Sequence, residues 1–143
     1  MAAPALDEFY VAQRGQGATL NGRPIAVSGA KDLKRACVEL GWSTRIPFER
    51  YLAVLQRSYA AGCSVKRSGS GTLGLCHVAN GRTDAYAELH INAWDVAAGI
   101  VIASEAGASI NDFFAGDGIS KGNPIVCSTP ALASELREIA GVS

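Results

Sequence analysis

Residues 94–108 read Trp94-Asp95-Val96-Ala97-Ala98-Gly99-Ile100-Val101-Ile102-Ala103-Ser104-Glu105-Ala106-Gly107-Ala108. The run is apolar nearly all round and stops at a glycine, Gly107. A surface helix carries its apolar residues as a stripe; one that is apolar on every side is covered on several sides. The stretch therefore predicts a buried helix over Trp94–Ala106, closed by Gly107 where helices end. Asp95 falls in its first turn, and two readings of it stand side by side. It can cap the helix, worth roughly 1 kcal/mol. It can also be an oxygen ligand, beside a loop, for a hard cation such as Mg2+. Because the helix is too apolar for the surface, Asp95 is expected at the bottom of a cleft.

Working outward, Asp84–Leu89, Ala108–Asn111 and Pro124–Cys127 read as strands around this helix. Asn21-Gly22 separates Ala18–Leu20 from Pro24–Val27, a strong hairpin signal. Phe9–Gln13, Cys37–Leu40 and Cys63–Val65 are further strands. Apolar residues at 48, 51, 52, 55 and 59 give helical spacing over 48–61. A short helix spans Gly71–Ala79 and closes at Asn80-Gly81. Phe113–Asn123 reads as a glycine-containing loop, and Thr129-Pro130 opens a last helix with a cap residue and a proline at its first position. Strands alternating with helices make this an α/β chain, a layered α/β/α sandwich with a mixed, partly parallel sheet.

Composition narrows the function. The 143 residues are 48% hydrophobic and 18% charged, with 13 basic against 13 acidic side chains. Soluble domains average roughly 25% charged residues, so this chain has apolar surface to spare. High apolar content at zero net charge excludes disorder. A dedicated nucleic-acid binder is not expected, since no basic excess exists to neutralise phosphates. No apolar run approaches the roughly 18 residues of a membrane span, Val96–Ala103 being the nearest, and MAAPALDEF lacks the features of a secretory signal. Cys37, Cys63, Cys76 and Cys127 form no C-x-x-C pair, and three sit in apolar stretches as buried free thiols do, which favours a reducing, cytoplasmic setting.

Two segments carry candidate chemistry beside Asp95. Gly69-Ser70-Gly71-Thr72-Leu73-Gly74 is a G-x-G-x-x-G between strand and helix, with Glu88 near the end of the next strand, the outline of a dinucleotide site. Lys66 and Arg67 stand where an apolar strand end is expected, the helix is short, and no further βα unit follows. A plain tight turn is one alternative. An anion or polyol site at the helix start is the favoured one. His77 is expected to be packed or solvent-facing, because adjacent helical residues such as Cys76 point apart. His90, in a loop rimming the pocket, could contact phosphate. Trp94 is expected to pack beneath the cleft. Lys66 and Arg67 could attract a phosphate ester.

The 94–108 stretch, read together with its flanks, resembles the inositol monophosphatase family of Mg2+-dependent, lithium-sensitive sugar phosphatases. The flanks are Tyr10-Val11-Ala12 with Gly15-x-Gly17-Ala18-x-Leu20-Asn21-Gly22, and Val38-Glu39-Leu40-Gly41. They continue with Arg67-Ser68-Gly69-Ser70-Gly71 and Val78-Ala79-x-Gly81-Arg82-x-Asp84-Ala85-Tyr86-x-Glu88. The resemblance runs from about Asp7 to Ala140. It implies that Asp95 is catalytic, binding a catalytic Mg2+ and orienting the substrate. It implies that Glu88 contacts a sugar or inositol hydroxyl, and that Gly69, Ser70 and Gly71 line the substrate pocket. The family's Glu-rich and Asp-x-x-Asp-Gly-Thr metal motifs are absent from the sequence; its one Asp-Gly, Asp117-Gly118, has Phe114 where the partner Asp would stand.

The chain is thus expected to be a single domain resembling the C-terminal half of such an enzyme, without the N-terminal metal-binding half. The expected substrate is a sugar or inositol phosphate, with phosphoadenosine-type nucleotides also within the family. Mg2+ is expected to bind weakly, since it needs several oxygen ligands in near-octahedral geometry. Partners are then a small-molecule phosphate ester and a second copy or the missing half, with no nucleic acid and no membrane. Two other functions are weighed: a non-catalytic half-domain that self-associates, and a nucleotide-binding fragment built on Gly69-x-Gly71-x-x-Gly74.

Overall fold

A computed structural model describes residues 1–142. Strand β5 (Cys37–Leu40) lies in a five-stranded mixed sheet. It pairs in parallel with β6 (Ser64–Lys66) and with β7 (Ala85–Ile91). Strand β9 (Asn123–Ser128) runs antiparallel to β7, and β8 (Ser109–Ile110) antiparallel to β9. Alternation along the strands sends apolar side chains to both faces, so helices must cover both. Helices α1 (Phe48–Ala60) and α5 (Ala133–Ala140) cover one, where Val54, Leu132 and Leu136 pack with Val38, Leu40 and Val126. Helices α2 (Gly71–Ala79) and α3 (Ala97–Glu105) cover the other, where Leu75, Val78 and Ile102 pack with Tyr86 and Ile125.

The α/β/α arrangement is thus the expected one, with a layer added. Strands β1 (Ala2–Ala3), β2 (Glu8–Ala12), β3 (Ala18–Leu20) and β4 (Arg23–Pro24) form an antiparallel sheet whose Tyr10 and Ala18 join the α2–α3 core. The β3–β4 turn places both Asn21 and Gly22 at positive φ, the geometry that Asn-Gly supplies at low cost. The loop before β3 is tied to α3, since both Glu105 carboxylate oxygens accept backbone N–H bonds, from Gly15 and Gly17 at 2.8 Å each.

Several expectations need correction. The single helix over Trp94–Ala106 is two pieces: a 3₁₀ turn, Ala93–Asp95, and α3, with Val96 non-helical between them (φ −136°, ψ −17°). Val96 is fully buried, and the Asp95 carbonyl accepts the Thr72 hydroxyl, so tertiary contacts break the helix at this point. One flank of α3 is open, with Val101 40% exposed. The loop 113–123 contains a short helix, α4 (Gly118–Lys121). Thr129 makes no side-chain cap; its hydroxyl donates to the Ala30 carbonyl, and Pro130–Leu132 forms a 3₁₀ turn before α5.

Strand β7 is bulged. Glu88 faces Ile125 while Ile91 faces Asn123, so β7 carries one extra residue over that interval. Ile91 thereby joins the core on the Tyr86 face, whereas Leu89 packs on the opposite one.

Candidate active site

The parallel strands β5 and β7 end, and α2 begins, at one cleft of about 560 Å³. The carboxyl end of parallel strands is where ligands bind in α/β sheets. The cleft brings together Gly69, Ser70, Gly71, Glu88 and Asp95, with Arg67 and His90 also on its lining; Lys66 is not on it and faces Glu39 instead.

Tyr86 and Glu88 project from β7 on the same face. The Tyr86 hydroxyl donates to Glu88 Oε2 at 2.5 Å, and among the described residues Oε1 has no hydrogen-bond partner. Burial pushes the Glu88 carboxyl above the usual carboxylate range. The Tyr86 hydrogen bond opposes that shift, and the nearby Asp95 charge adds to it. Burial likewise raises the Tyr86 hydroxyl, which keeps it a donor. Two glycines make room for this pair and a third for Ile91 beside it. A Cβ on Gly41 would strike the Glu88 carboxylate, one on Gly71 would strike Ile91, and one on Gly74 would strike the Tyr86 ring.

The same contacts account for the G-x-G-x-x-G. Gly69 sits at φ +85°, Ser70 accepts from the Leu73 amide to cap α2, and Gly71 and Gly74 face packed side chains. A dinucleotide site needs its second glycine bare so that a pyrophosphate can approach the backbone, while its third packs the helix against the strand. Here the bare face of Gly71, the second glycine, is filled by Ile91, and the dinucleotide reading loses its basis.

Asp95 is exposed at the rim of the cleft, not at its bottom, because the 3₁₀ turn carries it outward. It does not cap α3, whose N-cap position is Val96 with no side-chain bond. The Thr72 hydroxyl, bonded to the Asp95 carbonyl, fastens this turn to the start of α2. Trp94 is 72% exposed on the same rim; Val96, fully buried, takes the place beneath the cleft expected of Trp94. His90 lies on β7 and not in a loop, with Nε2 3.0 Å from the Lys121 carbonyl. His77 is buried as a packed residue. Cys63, Cys76 and Cys127 are buried free thiols, and Cys37 is half-buried.

Sequence reasoning missed two contributions. Trp42, Ser43, Thr44 and Arg45 all line the cleft; the signal was their place directly after β5, beside Gly41. The second is Glu39, a buried carboxylate on β5. Its Oε1 accepts both the Ser68 amide, at 3.2 Å, and the Ser68 hydroxyl. Its Oε2 lies 3.3 Å from Lys66 Nζ and 3.8 Å from His77 Nδ1. Burial alone would raise the Glu39 carboxyl, but His77, Ser68 and the Lys66 ammonium outweigh it and hold it at about 2.

The match to known proteins runs over nearly the whole chain. Residues 1–141 match the inositol monophosphatase family. The chain belongs to that family. It is 35% identical over 139 residues to a protein named putative Nus factor SuhB from Neisseria meningitidis, covering 96% of this chain and 53% of that protein. It is 37% identical over 138 residues to an inositol-1-monophosphatase of Rhizobium meliloti, covering 95% and 52%. Among solved structures, the extragenic suppressor protein suhB from Bartonella henselae superposes with a TM-score of 0.86 at 32% identity, covering 96% of this chain and 53% of that one. The inositol monophosphatase from Anabaena gives a TM-score of 0.81 at 31% identity, covering 95% and 55%. The chain thus spans about half the length of the relatives it matches.

The family's chemistry is Mg2+-dependent. Among the described residues no three His, Cys, Asp or Glu side chains converge on one point, so the donors present do not form a Mg2+ cage. Nor is any helix among them long and apolar enough to cross a membrane.

Proposed function

We propose that this chain carries the hydroxyl-recognition side of a phosphatase acting on inositol or related sugar phosphates. The observation that carries the reading is the pairing of Glu88 with Asp95 across one cleft, beside the Gly69-Ser70-Gly71 wall. A carboxylate can accept hydrogen bonds from two neighbouring hydroxyls. Glu88 keeps Oε1 for that purpose, while Tyr86 holds Oε2 and so fixes the direction in which the carboxylate points. The resemblance would make Asp95 both the catalytic carboxylate and one Mg2+ ligand. A lone rim carboxylate is too little for a metal that demands near-octahedral oxygen coordination. We therefore assign the remaining ligands to the half of the family fold that these residues do not span. The chain by itself is expected to bind Mg2+ weakly and to hydrolyse phosphate esters negligibly.

Titration of the 143-residue chain with myo-inositol 1-phosphate, followed by amide chemical shifts, tests this assignment. Shifts at residues 69–71 and at Glu88 and Asp95, weakened by Glu88→Gln, are expected. Unmoved amides in that cleft would refute the hydroxyl site. Phosphate release at the rate of an intact enzyme would refute the division of labour.

The four free thiols support a reducing, cytoplasmic setting. Phe9 and Val11, 56% and 47% exposed on β2, support self-association as the state of the isolated chain, with sedimentation across a concentration series as the check. The charge balance argues against nucleic acid. Several relatives nonetheless bear the name Nus factor, so that exclusion is not carried into the proposal.

A further inference from the structure

Glu39 is 1% exposed, yet it borders the cleft from the middle strand of the three parallel ones. It lies in register with Lys66 on β6 and with Tyr86 on β7. A buried carboxylate without compensation is costly, so its partners state what it is for. Two of them, Lys66 on the adjacent strand β6 and His77 on α2, approach Oε2. The third is Ser68, whose amide and hydroxyl both donate to Oε1. Ser68 opens the loop that carries Gly69 and Ser70 into α2, the cleft wall opposite Glu88. Bonds to a charged acceptor are roughly twice as strong as neutral ones. Gly74 completes the arrangement: its missing Cβ leaves Oε1 room beneath α2, where a methyl would stand 3.2 Å away. No neighbour of Oε2 reaches hydrogen-bond geometry, so the fixed end of the carboxylate is the one that holds the loop.

We propose that Glu39 is a positioning residue for ligand recognition, a buried anion that sets the 68–71 wall against which the polyol side of the substrate is held. It acts through Ser68 and does not touch the ligand. The assignment rests on the hydroxyl-recognition reading of the cleft.

Glu39→Gln preserves size and one carbonyl acceptor while removing the charge. In the full chain, amide hydrogen exchange at residues 68–72 is expected to speed up by tenfold or more, with the β5 and β9 amides unchanged. The dissociation constant for myo-inositol 1-phosphate is expected to rise about tenfold, and that for inorganic phosphate to stay where it is. Should Glu39→Gln fail to fold, Ser68→Ala and Lys66→Met carry the test. Each is then expected to loosen 68–72 locally, Ser68→Ala by less because the amide bond survives. Unchanged exchange at 68–72 in any of the folded variants overturns the proposal. So does acceleration spread evenly over the sheet, or equal weakening of both ligands. If the unaltered chain binds no inositol phosphate, the hydroxyl site is refuted, and the exchange data still decide whether Glu39 holds the wall.

Discussion

Alanine at Gly74 tests whether that glycine is required by packing. In the middle of a helix, Gly→Ala ordinarily stabilises by about 1 kcal/mol. If nothing packed against Gly74, that gain would appear in full. The structure gives the opposite sign. An added Cβ would fall inside the Tyr86 ring's contact distance, 2.7 Å from Cε2, and 3.2 Å from Glu39 Oε1. Tyr86 is 2% exposed and cannot swing away. Overpacking of this kind costs about 1–3 kcal/mol, and the close approach places Gly74→Ala toward the upper end. After subtracting the helix gain, a net loss of roughly 1–2 kcal/mol remains, or a fall in Tm of roughly 3–8 °C for a chain of this size. Differential scanning calorimetry reads it directly. In a Tyr86→Ala background the clash is gone and the same substitution is expected to stabilise, a coupling that a double-mutant cycle isolates. A Gly74→Ala chain as stable as the parent, or more so, would refute the packing account of the G-x-G-x-x-G.

Acid should destabilise the fold through two carboxyls. The Arg82 guanidinium, against the opposing effect of burial, holds Glu8 below its ordinary range, and Glu39 sits at about 2. Both are lowered in the folded state, so their contribution is present above the ordinary carboxylate pKa and is lost as pH falls through the folded values. Urea midpoints should hold level from pH 7 to about 5 and then decline toward pH 2. Glu88 has the opposite sign. Burial raises it, so at neutral pH its charge costs stability, and Glu88→Gln should raise Tm at pH 7 while weakening inositol phosphate binding. Leu136→Ala empties a site only 1% exposed and should cost about 2–5 kcal/mol in urea unfolding. Glu105→Ala should speed hydrogen exchange at Gly15 and Gly17 while leaving the mixed sheet protected.

The elements that local chemistry defines were legible in the sequence. Helix α2 occupies its expected residues because Ser70 caps its start and Asn80-Gly81 closes its end. The β3–β4 hairpin follows from Asn21-Gly22 alone. Elements shaped by distant contacts were not legible. The break at Val96 goes with its packing against the bare face of Gly71 and with a hydroxyl from Thr72, neither of which has a periodicity. Strand β1 is two alanines held only by pairing with β2. In the site, Glu88, Asp95 and the glycines were visible because they belong to a long motif. Glu39 was not, since a single glutamate between Val38 and Leu40 looks like ordinary alternation until its face is known to be buried.

The extra residue in β7 makes the segment from Glu88 to Asp95 a ruler with one permitted length. Side chains on a strand change face at each step. The bulge adds one step, which brings Ile91 back to the side of Tyr86 and aims the following 3₁₀ turn at the cleft. Shortening the segment by one residue would leave the composition almost untouched and both carboxylates in place. Ile91 would then turn to the opposite face of the sheet, and the two carboxylates would no longer open onto the same cleft. Substitutions along this stretch can be absorbed by repacking, but a change of length cannot, so the spacing of the two acids is guarded by counting and not by chemistry.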